Sequence, residues 1–369
     1  MFRTTGRALL GAALSSALLA VGLAGTASAK TAEVKVEIND DGCPAKITLK
    51  AGPHHFKVTN SGSGDVSEFE ILSGDRILGE VENVAPGLNK EFSLTLKAGN
   101  YTTYCPGGSR DKGKLVVKGT ASTKLSSEGQ AAVDQYRQYL EAQTAELVTA
   151  TKAFTDAVDA GNLDQAKELY APSRIAYERI EPVAEVFGDL DPKIDAREGD
   201  VPKKEWGGYH YIEQKLWVDG TTEGLSDYSK DLNENVATLQ NLVKDVELQP
   251  ASIANGAVEL LNEVSKSKIT GEEERYSRTD LVDFEANVQG AEAAYNAVKP
   301  ILQQKSPQLV TELDAKFAAV YAGLQPYETG DTTYVAYTDL TKADTKALSQ
   351  AIDSLAEPLS KVSKQIVGS

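Results

Sequence analysis

The chain has few of the side chains on which most catalytic and electron-transfer sites depend. Its 369 residues include two cysteines, three histidines and one methionine. It contains no His-Glu-x-x-His pair, which excludes the helix-borne zinc site of many metallopeptidases. It also contains no Gly-x-Ser-x-Gly turn and no phosphate-binding loop, so serine hydrolases and nucleotide-binding enzymes have no support.

Positive charge is also scarce. The sequence has 38 Lys and Arg residues against 54 Asp and Glu residues, a formal net charge of −16. We expect no nucleic acid partner, because a protein that binds nucleic acid needs positive charge to displace counterions. The acidic balance fits either cation capture or solubility alone, and composition does not decide between them.

Long apolar runs are absent except at the start of the chain. Arg3 and Arg7 precede an apolar run over residues 8–23, and small residues follow at 25–29. This order predicts a secretory signal peptide over residues 1–29. No later run reaches the length of a membrane span, so we expect no transmembrane segment after signal removal. The mature protein is expected outside the cytoplasmic membrane, in the periplasmic or extracellular cell-envelope space.

Residues 30–118 alternate apolar and polar side chains, which predicts an antiparallel β-sandwich. Val34, Val36 and Ile38 alternate with charged residues, as in a half-buried strand. Similar alternation recurs along the segment between turns rich in Gly, Pro and Asn. The spacing predicts about seven short strands. Residues 119–126 are small and polar, and we expect a linker there.

From residue 127 to 369 the chain is rich in Ala, Leu, Glu, Gln and Lys, which predicts an all-α helical bundle. Apolar residues from Val133 to Val158 recur at intervals of three and four, which indicates an amphipathic helix ending near Gly161. A second helix is predicted to carry the apolar positions from Leu169 to Val183. A chain of this length supports two domains.

His210 and Glu213 give the best metal-site signal in the sequence. Residues three apart share one face of a helix, so both side chains could reach one ion. The upstream acids that could complete such a site lie in residues 177–182, which include Glu178 and Glu181, and in residues 189–198, which include Asp195. An acidic stripe can also be a solvated helix face. Helical bundles, however, do build metal centres from inward glutamates and a Glu/His pair at helical spacing.

The two cysteines, Cys43 and Cys105, both lie in the predicted β domain. In an exported protein they form either a disulfide or a soft-metal site, and both alternatives stay open. A conventional electron-transfer copper site would need further His and Met ligands. Met1 would leave with the signal peptide, and His54 and His55 are expected to be exposed in a turn.

Eight segments of the chain resemble the EfeO family of exported iron-uptake components. In the β domain they are residues 39–43, 68–72, 82–87 and 99–105, and in the helical domain 178–185, 189–198, 210–217 and 276–287. The resemblance implies a cupredoxin-like β-sandwich followed by an imelysin-like helical bundle. Imelysin-like proteins are marked by a His-x-x-Glu motif, which residues 210–213 match.

The resemblance also implies metal ligands. Those in the helical domain are His210, Glu213, Glu178, Glu181 and Asp195, with Glu273 as a distal ligand. Those in the β domain are Cys43, Cys105 and Glu68, with Asp41 and Glu82 as weaker candidates. The helical site would hold ferrous or ferric iron, and copper in the β domain would oxidise ferrous iron. The implied partners are a membrane iron permease and a Dyp-type haem peroxidase of the same system.

Two other functions remain as alternatives. A metal held by His and Glu could activate water, as in a metallopeptidase, although a single His and several carboxylates leave little room for an open position. A metal-independent interaction protein is the other alternative. For the iron-binding interpretation, affinity should fall as pH drops, because the ligands must be deprotonated to bind.

Overall fold

The computed structural model describes Met1 and residues 31–121, 124–266 and 268–369. The predicted signal peptide therefore lies outside the described residues apart from Met1, as do positions 122 and 123 of the predicted linker. None of the described helices is long and apolar enough to cross a membrane.

Eight strands form a β-sandwich in the first part of the chain, as the alternation predicts. They are β1 (Ala32–Ile38), β2 (Lys46–Lys50), β3 (Gly52–Asn60), β4 (Phe69–Ser73), β5 (Arg76–Val81), β6 (Asn89–Leu96), β7 (Gly99–Tyr104) and β8 (Lys112–Lys118). One sheet has the order β1-β3-β6 and the other the order β2-β8-β7-β4-β5. The apolar faces of the two sheets form one core, in which Phe56 and Phe92 stack with ring centroids 4.8 Å apart.

The sequence predicts an antiparallel sandwich, but two of the strand pairs are parallel. Strand β1 runs parallel to β3, and β2 runs parallel to β8, while the other pairs are antiparallel. His54 and His55 are a second difference, because they are buried within β3 instead of exposed in a turn. The His55 ring contacts Ser93 Oγ at 2.9 Å and Glu91 Oε2 at 2.8 Å. His54 Nε2 lies 2.7 Å from the Lys50 carbonyl.

Cys43 and Cys105 form a disulfide across 62 residues of sequence. This corrects the expectation that they supply thiolate ligands, because a disulfide sulfur carries no thiolate charge. Both residues are fully buried in the core of the sandwich. The bridge ties the loop after β1 to the end of β7 and so stabilises the sandwich.

Removing this disulfide with the Cys43→Ser/Cys105→Ser double variant should lower the free energy of unfolding by about 4 kcal/mol, since the bridge closes a long loop. Chemical denaturation of both proteins measures the difference. Thiol titration of the unreduced, unfolded wild type should find no free thiol. Two free thiols per chain would contradict the bridge.

Helices make up most of the remaining chain. They are α1 (Ser127–Asp159), α2 (Leu163–Glu178), α3 (Glu181–Glu185), α4 (Asp191–Asp195), α5 (Gly208–Gln214), α6 (Ser226–Val243), α7 (Pro250–Lys266), α8 (Asp280–Lys305), α9 (Pro307–Leu324), α10 (Lys342–Leu359) and α11 (Val362–Ile366). A two-stranded ribbon of β9 (Glu328–Gly330) and β10 (Thr333–Tyr334) follows α9. A π-helix (Lys215–Asp219) continues α5, and a 3-10 turn (Lys268–Thr270) follows α7. One apolar core joins the long helices.

The predicted second helix is broken at Arg179 and Ile180 instead of running on to Val183. Pro182 explains the break, because in a continuous helix it has no N–H to donate to the Glu178 carbonyl, which accepts a hydrogen bond from the Asn287 amide instead. Helix α8 crosses close to this point. A Cβ atom on Gly290 would lie 2.3 Å from the Arg179 carbonyl oxygen, so only glycine permits the approach.

Two side-chain amides attach the helical bundle to the sandwich. Strand β6 is an edge strand, and its outer backbone groups would otherwise be unpaired. Asn255 of α7 accepts a hydrogen bond from Ser93 N and donates one to Ser93 O, at 3.4 and 2.8 Å. Gln249 does the same with Thr95, at 3.0 and 2.9 Å. The two amides therefore pair with alternate residues of β6 as a neighbouring strand would, and fix the orientation of the two domains.

Candidate metal centre

A close contact between α4 and α5 brings the main candidate ligands together. Gly208 begins α5 with φ of +71°, and a Cβ atom there would lie 2.3 Å from the Ile194 carbonyl oxygen. Glycine is therefore required for the start of α5 to touch the end of α4. This contact places His210 on the first turn of α5 beside Asp195, the last residue of α4.

The imidazole of His210 is almost fully buried and faces carboxylates on both sides. Its Nε2 atom lies 3.6 Å from Asp195 Oδ1 and 3.6 Å from Glu273 Oε1. Neither distance is a hydrogen bond, and Nε2 has no hydrogen-bond partner. A buried ring nitrogen that faces two carboxylate oxygens without a bond is a position suited to a cation.

Glu213 lies on the other side of the ring. Its Oε2 is 3.4 Å from His210 Nδ1, while its Oε1 accepts hydrogen bonds from the backbone N–H groups of Tyr276 and Ser277 at 3.0 and 2.7 Å. The two residues of the His-x-x-Glu motif therefore share a helix face, as their spacing predicts. Glu213, however, approaches Nδ1, whereas Asp195 and Glu273 approach Nε2.

Two sets of three ligand atoms consequently meet at His210. One comprises Asp195, His210 and Glu273, and the other His210, Glu213 and Glu274; within each set the ligand atoms lie within 4.8 Å of one another. Glu273 and Glu274 come from the segment between the 3-10 turn and α8. The family resemblance implies Glu273 as a distal ligand but does not single out Glu274, whose adjacency to Glu273 was the available signal.

Charge distinguishes the two sets. Burial opposes ionisation of Asp195, but Arg174 and His210 outweigh it and lower its pKa to about 2. Burial likewise opposes ionisation of Glu273, yet Lys268 and His210 hold its pKa well below the ordinary value. Burial raises the pKa of Glu274 to about 8 despite Arg174. At neutral pH the Asp195/Glu273 side is thus fully anionic, while Glu274 is largely protonated.

The pKa of His210 itself is perturbed by the same neighbours. Burial and Arg174 favour the neutral ring, but Asp195 and the hydrogen bond to Glu213 outweigh them and raise the pKa of His210 well above its ordinary value. A cation that binds Nε2 must therefore displace a proton.

Arg174 is a fully buried guanidinium at the centre of the acidic cluster, and it is not among the predicted site residues. Its Nη1 pairs with Asp195, its Nη2 with Glu178, and its Nε lies 2.7 Å from Glu274 Oε1. It also stacks over the Tyr209 ring at 5.3 Å. Its spacing of four residues from Glu178 on α2 was the signal that could have revealed it.

Glu178 and Glu181 are not brought to the His210 ring. Lys268, also fully buried, donates hydrogen bonds to Glu178 Oε2 and Glu181 Oε2 at 2.7 Å each. The Asn287 amide contacts the same two oxygens at 3.1 and 3.2 Å. These two carboxylates thus bind an ammonium group supplied by the chain itself.

Buried negative charge exceeds buried positive charge in the helical domain. Among the described residues, its buried basic side chains are Arg174, Lys268 and His210. Its buried acids are Glu178, Glu181, Asp195, Glu213, Glu273, Glu274, Asp280 and Asp283. Unpaired buried charge is costly, so this excess is relieved either by protonation or by a bound cation.

The candidate residues of the β domain are dispersed. Asp41 is exposed, and the cysteines are bonded to each other. Glu68 lies with Glu80 and Glu82, whose ligand atoms approach within 4.8 Å. Burial, with Glu70 nearby, raises the pKa of Glu68 to about 8. The soft thiolate ligands that copper would need here are therefore not available from Cys43 or Cys105.

Comparison with known proteins places the chain among characterised families. The imelysin family model matches residues 132–362, and the cupredoxin-like domain model matches residues 11–117. The iron uptake system component EfeO of Escherichia coli (strain K12) is 42% identical over 346 residues, which cover 91% of this chain and 92% of that protein. The protein of the same name from Shigella flexneri has the same identity and coverage.

Among solved structures, auracyanin A, a blue copper protein from Chloroflexus aurantiacus, has 20% sequence identity and a TM-score of 0.20. The match covers 23% of this chain and 99% of auracyanin A.

Proposed function

The chain belongs to the imelysin family and to the family of the iron-uptake component EfeO, and on this premise we propose that it binds iron for uptake between His210, Asp195 and Glu273. The observation that carries the proposal is the buried His210 Nε2, which faces two ionised carboxylates without a hydrogen bond. Iron is the cargo of this site.

The separation of the three ligand atoms fits a metal ion. Four ligands at about 2.1 Å from an ion, arranged tetrahedrally, lie about 3.4 Å from one another. The two distances from Nε2 are 3.6 Å. Small movements of the Asp195 and Glu273 side chains would therefore suffice to bind an ion.

The chemistry of the ligands supports iron over softer metals. One imidazole and two carboxylates form a hard, anionic site, which suits iron or manganese better than copper(I). The disulfide in the β domain removes the basis for copper-dependent oxidation at Cys43 and Cys105.

Glu213 has a different role from His210. We assign it the position of a carboxylate that accepts the Nδ1–H of a metal-binding histidine, which fixes the ring and directs Nε2 at the ion. Its two backbone hydrogen bonds hold it in place for this. The His-x-x-Glu motif thus contributes one ligand and one positioning residue.

The Glu213→Gln variant should keep one iron site per chain but weaken its affinity about 10- to 100-fold, because only the orientation of the ring is impaired. The Asp195→Asn variant should weaken binding more, because a charged ligand is lost. Calorimetric titration with ferrous iron under anaerobic conditions compares the two. Equal losses of affinity would contradict the division of roles.

We further propose that the chain passes the bound iron to a membrane permease. A Dyp-type haem peroxidase is its second proposed partner in the periplasmic space. Pull-down of these two proteins with the purified chain tests it.

For the peptidase alternative, the geometry is unfavourable because His210, Asp195 and Glu273 are all buried. Assays of peptide cleavage with and without chelator would detect such an activity.

A further inference from the structure

An acidic cavity lies between the two domains and reaches the proposed iron site. Its volume is about 240 Å³, and eight of its twelve lining residues are Asp or Glu. Arg197 is the one basic residue among them. Asp195 and Glu273 form part of the wall, so the cavity ends at the carboxylates that face His210 Nε2.

One acid of the wall comes from the β domain. Glu82, which follows β5, lines the cavity together with Glu185 and Glu263 of the helical domain. Asp200, also in the lining, is exposed, so the cavity opens to solvent on that side. A cation entering from solvent would therefore pass between acids of both domains before it reaches Asp195.

A buried ligand atom without a hydrogen-bond partner, Nε2 of His210, lies next to the carboxylates that line this cavity. The imidazole is 1% exposed, and its Nε2 has no hydrogen-bond partner. The two carboxylates that face Nε2, those of Asp195 and Glu273, both line the cavity. Acidic patches on protein surfaces are common and need not bind a metal ion. This cavity also reaches a buried ligand atom that has no hydrogen-bond partner, which points to a bound cation.

We propose that this cavity is the entrance through which iron reaches His210, and that the β domain serves as its outer wall. The inference rests on the proposed iron site and adds its route of loading. Not all acids of the wall are ionised at neutral pH, because burial raises the pKa of Glu263 to about 8 and that of Asp191 to about 7. Those that are ionised concentrate cations in the cavity and speed their association.

Two features fit this role. The amides of Asn255 and Gln249 hold strand β6 against α7, which keeps the β-domain side of the cavity in place. Arg197 donates a hydrogen bond to Glu273 Oε2 at 2.9 Å, which leaves Glu273 Oε1 directed towards His210. Arg197 is thus a positioning residue at the inner end of the entrance.

The test measures the rate of iron loading in full-length mature protein. Ferrous iron is mixed anaerobically with protein in a stopped-flow instrument, and the quenching of tryptophan fluorescence is followed. Trp217 is a suitable reporter, because it packs against Tyr170, which contacts His210. Asp200→Lys alters the helical side of the cavity and Glu82→Lys the β-domain side. Glu312→Lys, an exposed change on α9, is the control with the same change in net charge.

At low ionic strength, Asp200→Lys and Glu82→Lys should each slow association about tenfold or more, whereas Glu312→Lys should change it less than about twofold. Added salt should shrink the difference. If all three variants load at the same rate, the cavity is not the entrance. If Asp200→Lys alone is slow, the β domain is not its wall.

Failure of the iron site itself has a separate signature. In that case, wild type and His210→Ala would show the same iron-dependent quenching, whatever the cavity variants do. Asp200 is exposed, which keeps a test on the helical side if Glu82→Lys does not fold. Because Asp200 accepts hydrogen bonds from Arg197, the loading rate of Asp200→Lys is compared only after equilibrium titration has shown the wild-type iron stoichiometry.

Discussion

His210→Ala should abolish measurable iron binding at its site, with an affinity loss greater than about 100-fold. Replacing a residue that only orients a metal ligand costs about 10- to 100-fold in metal affinity, and this variant removes a ligand itself. It also leaves Asp195 and Glu273 without the neighbour that joins them. Anaerobic titration with ferrous iron, read as stoichiometry and dissociation constant, measures the effect.

His54→Ala is the matched control for this experiment. His54 is also a buried histidine, but it lies on β3 and contacts the Lys50 carbonyl. Thermal unfolding first shows that both variants are folded. The His54→Ala variant should then bind iron as the wild type does. Unchanged stoichiometry and affinity in His210→Ala would place the iron elsewhere.

Arg174→Met should lower the free energy of unfolding of the metal-free protein by about 3–5 kcal/mol. Removing one partner from a buried ion pair leaves the other charge uncompensated, and this is the costly way to break it. Here the charged partners left behind are Asp195 and Glu178. Methionine fills much of the volume, so the loss reflects charge more than a cavity.

Arg179→Met provides the comparison. Arg179 follows α2 and is partly exposed, and it hydrogen-bonds to Gln289 and Gln143. Its loss should cost no more than about 1 kcal/mol, as for a typical surface interaction. Chemical denaturation gives both values. Saturating iron should restore part of the stability of Arg174→Met, because a ligand that binds only the folded state stabilises it. Equal destabilisation by the two variants would contradict the central role of Arg174.

The fold of each domain follows from local patterns in the sequence. Alternation predicts strands such as β1 and β6, because each has one buried face, and the three/four spacing predicts α1. Strand pairing does not follow, since the parallel contact of β1 with β3 is set by the whole sandwich. His54 and His55 follow a Gly-Pro pair that resembles a turn, yet Gly52 itself begins β3 with φ of +133°.

The site is predictable only in part, because local helical spacing is visible in the sequence and long-range packing is not. Helical spacing places His210 and Glu213 on one face, but it does not show which ring nitrogen each acid approaches. The sequence also gives no sign that the Lys268 ammonium group binds Glu178 and Glu181, because these contacts span 90 and 87 residues. Buried basic residues such as Arg174 look like ordinary surface residues until packing encloses them.

The most direct test of the iron site is a crystal structure of the iron-loaded protein with anomalous scattering measured at the iron absorption edge. We expect one strong peak about 2.0–2.2 Å from His210 Nε2 and from carboxylate oxygens of Asp195 and Glu273. Glu213 should stay on the Nδ1 side of the ring. A peak at Glu181, Glu185 and Glu263, or at Glu68, Glu80 and Glu82, with none at His210, would contradict the account.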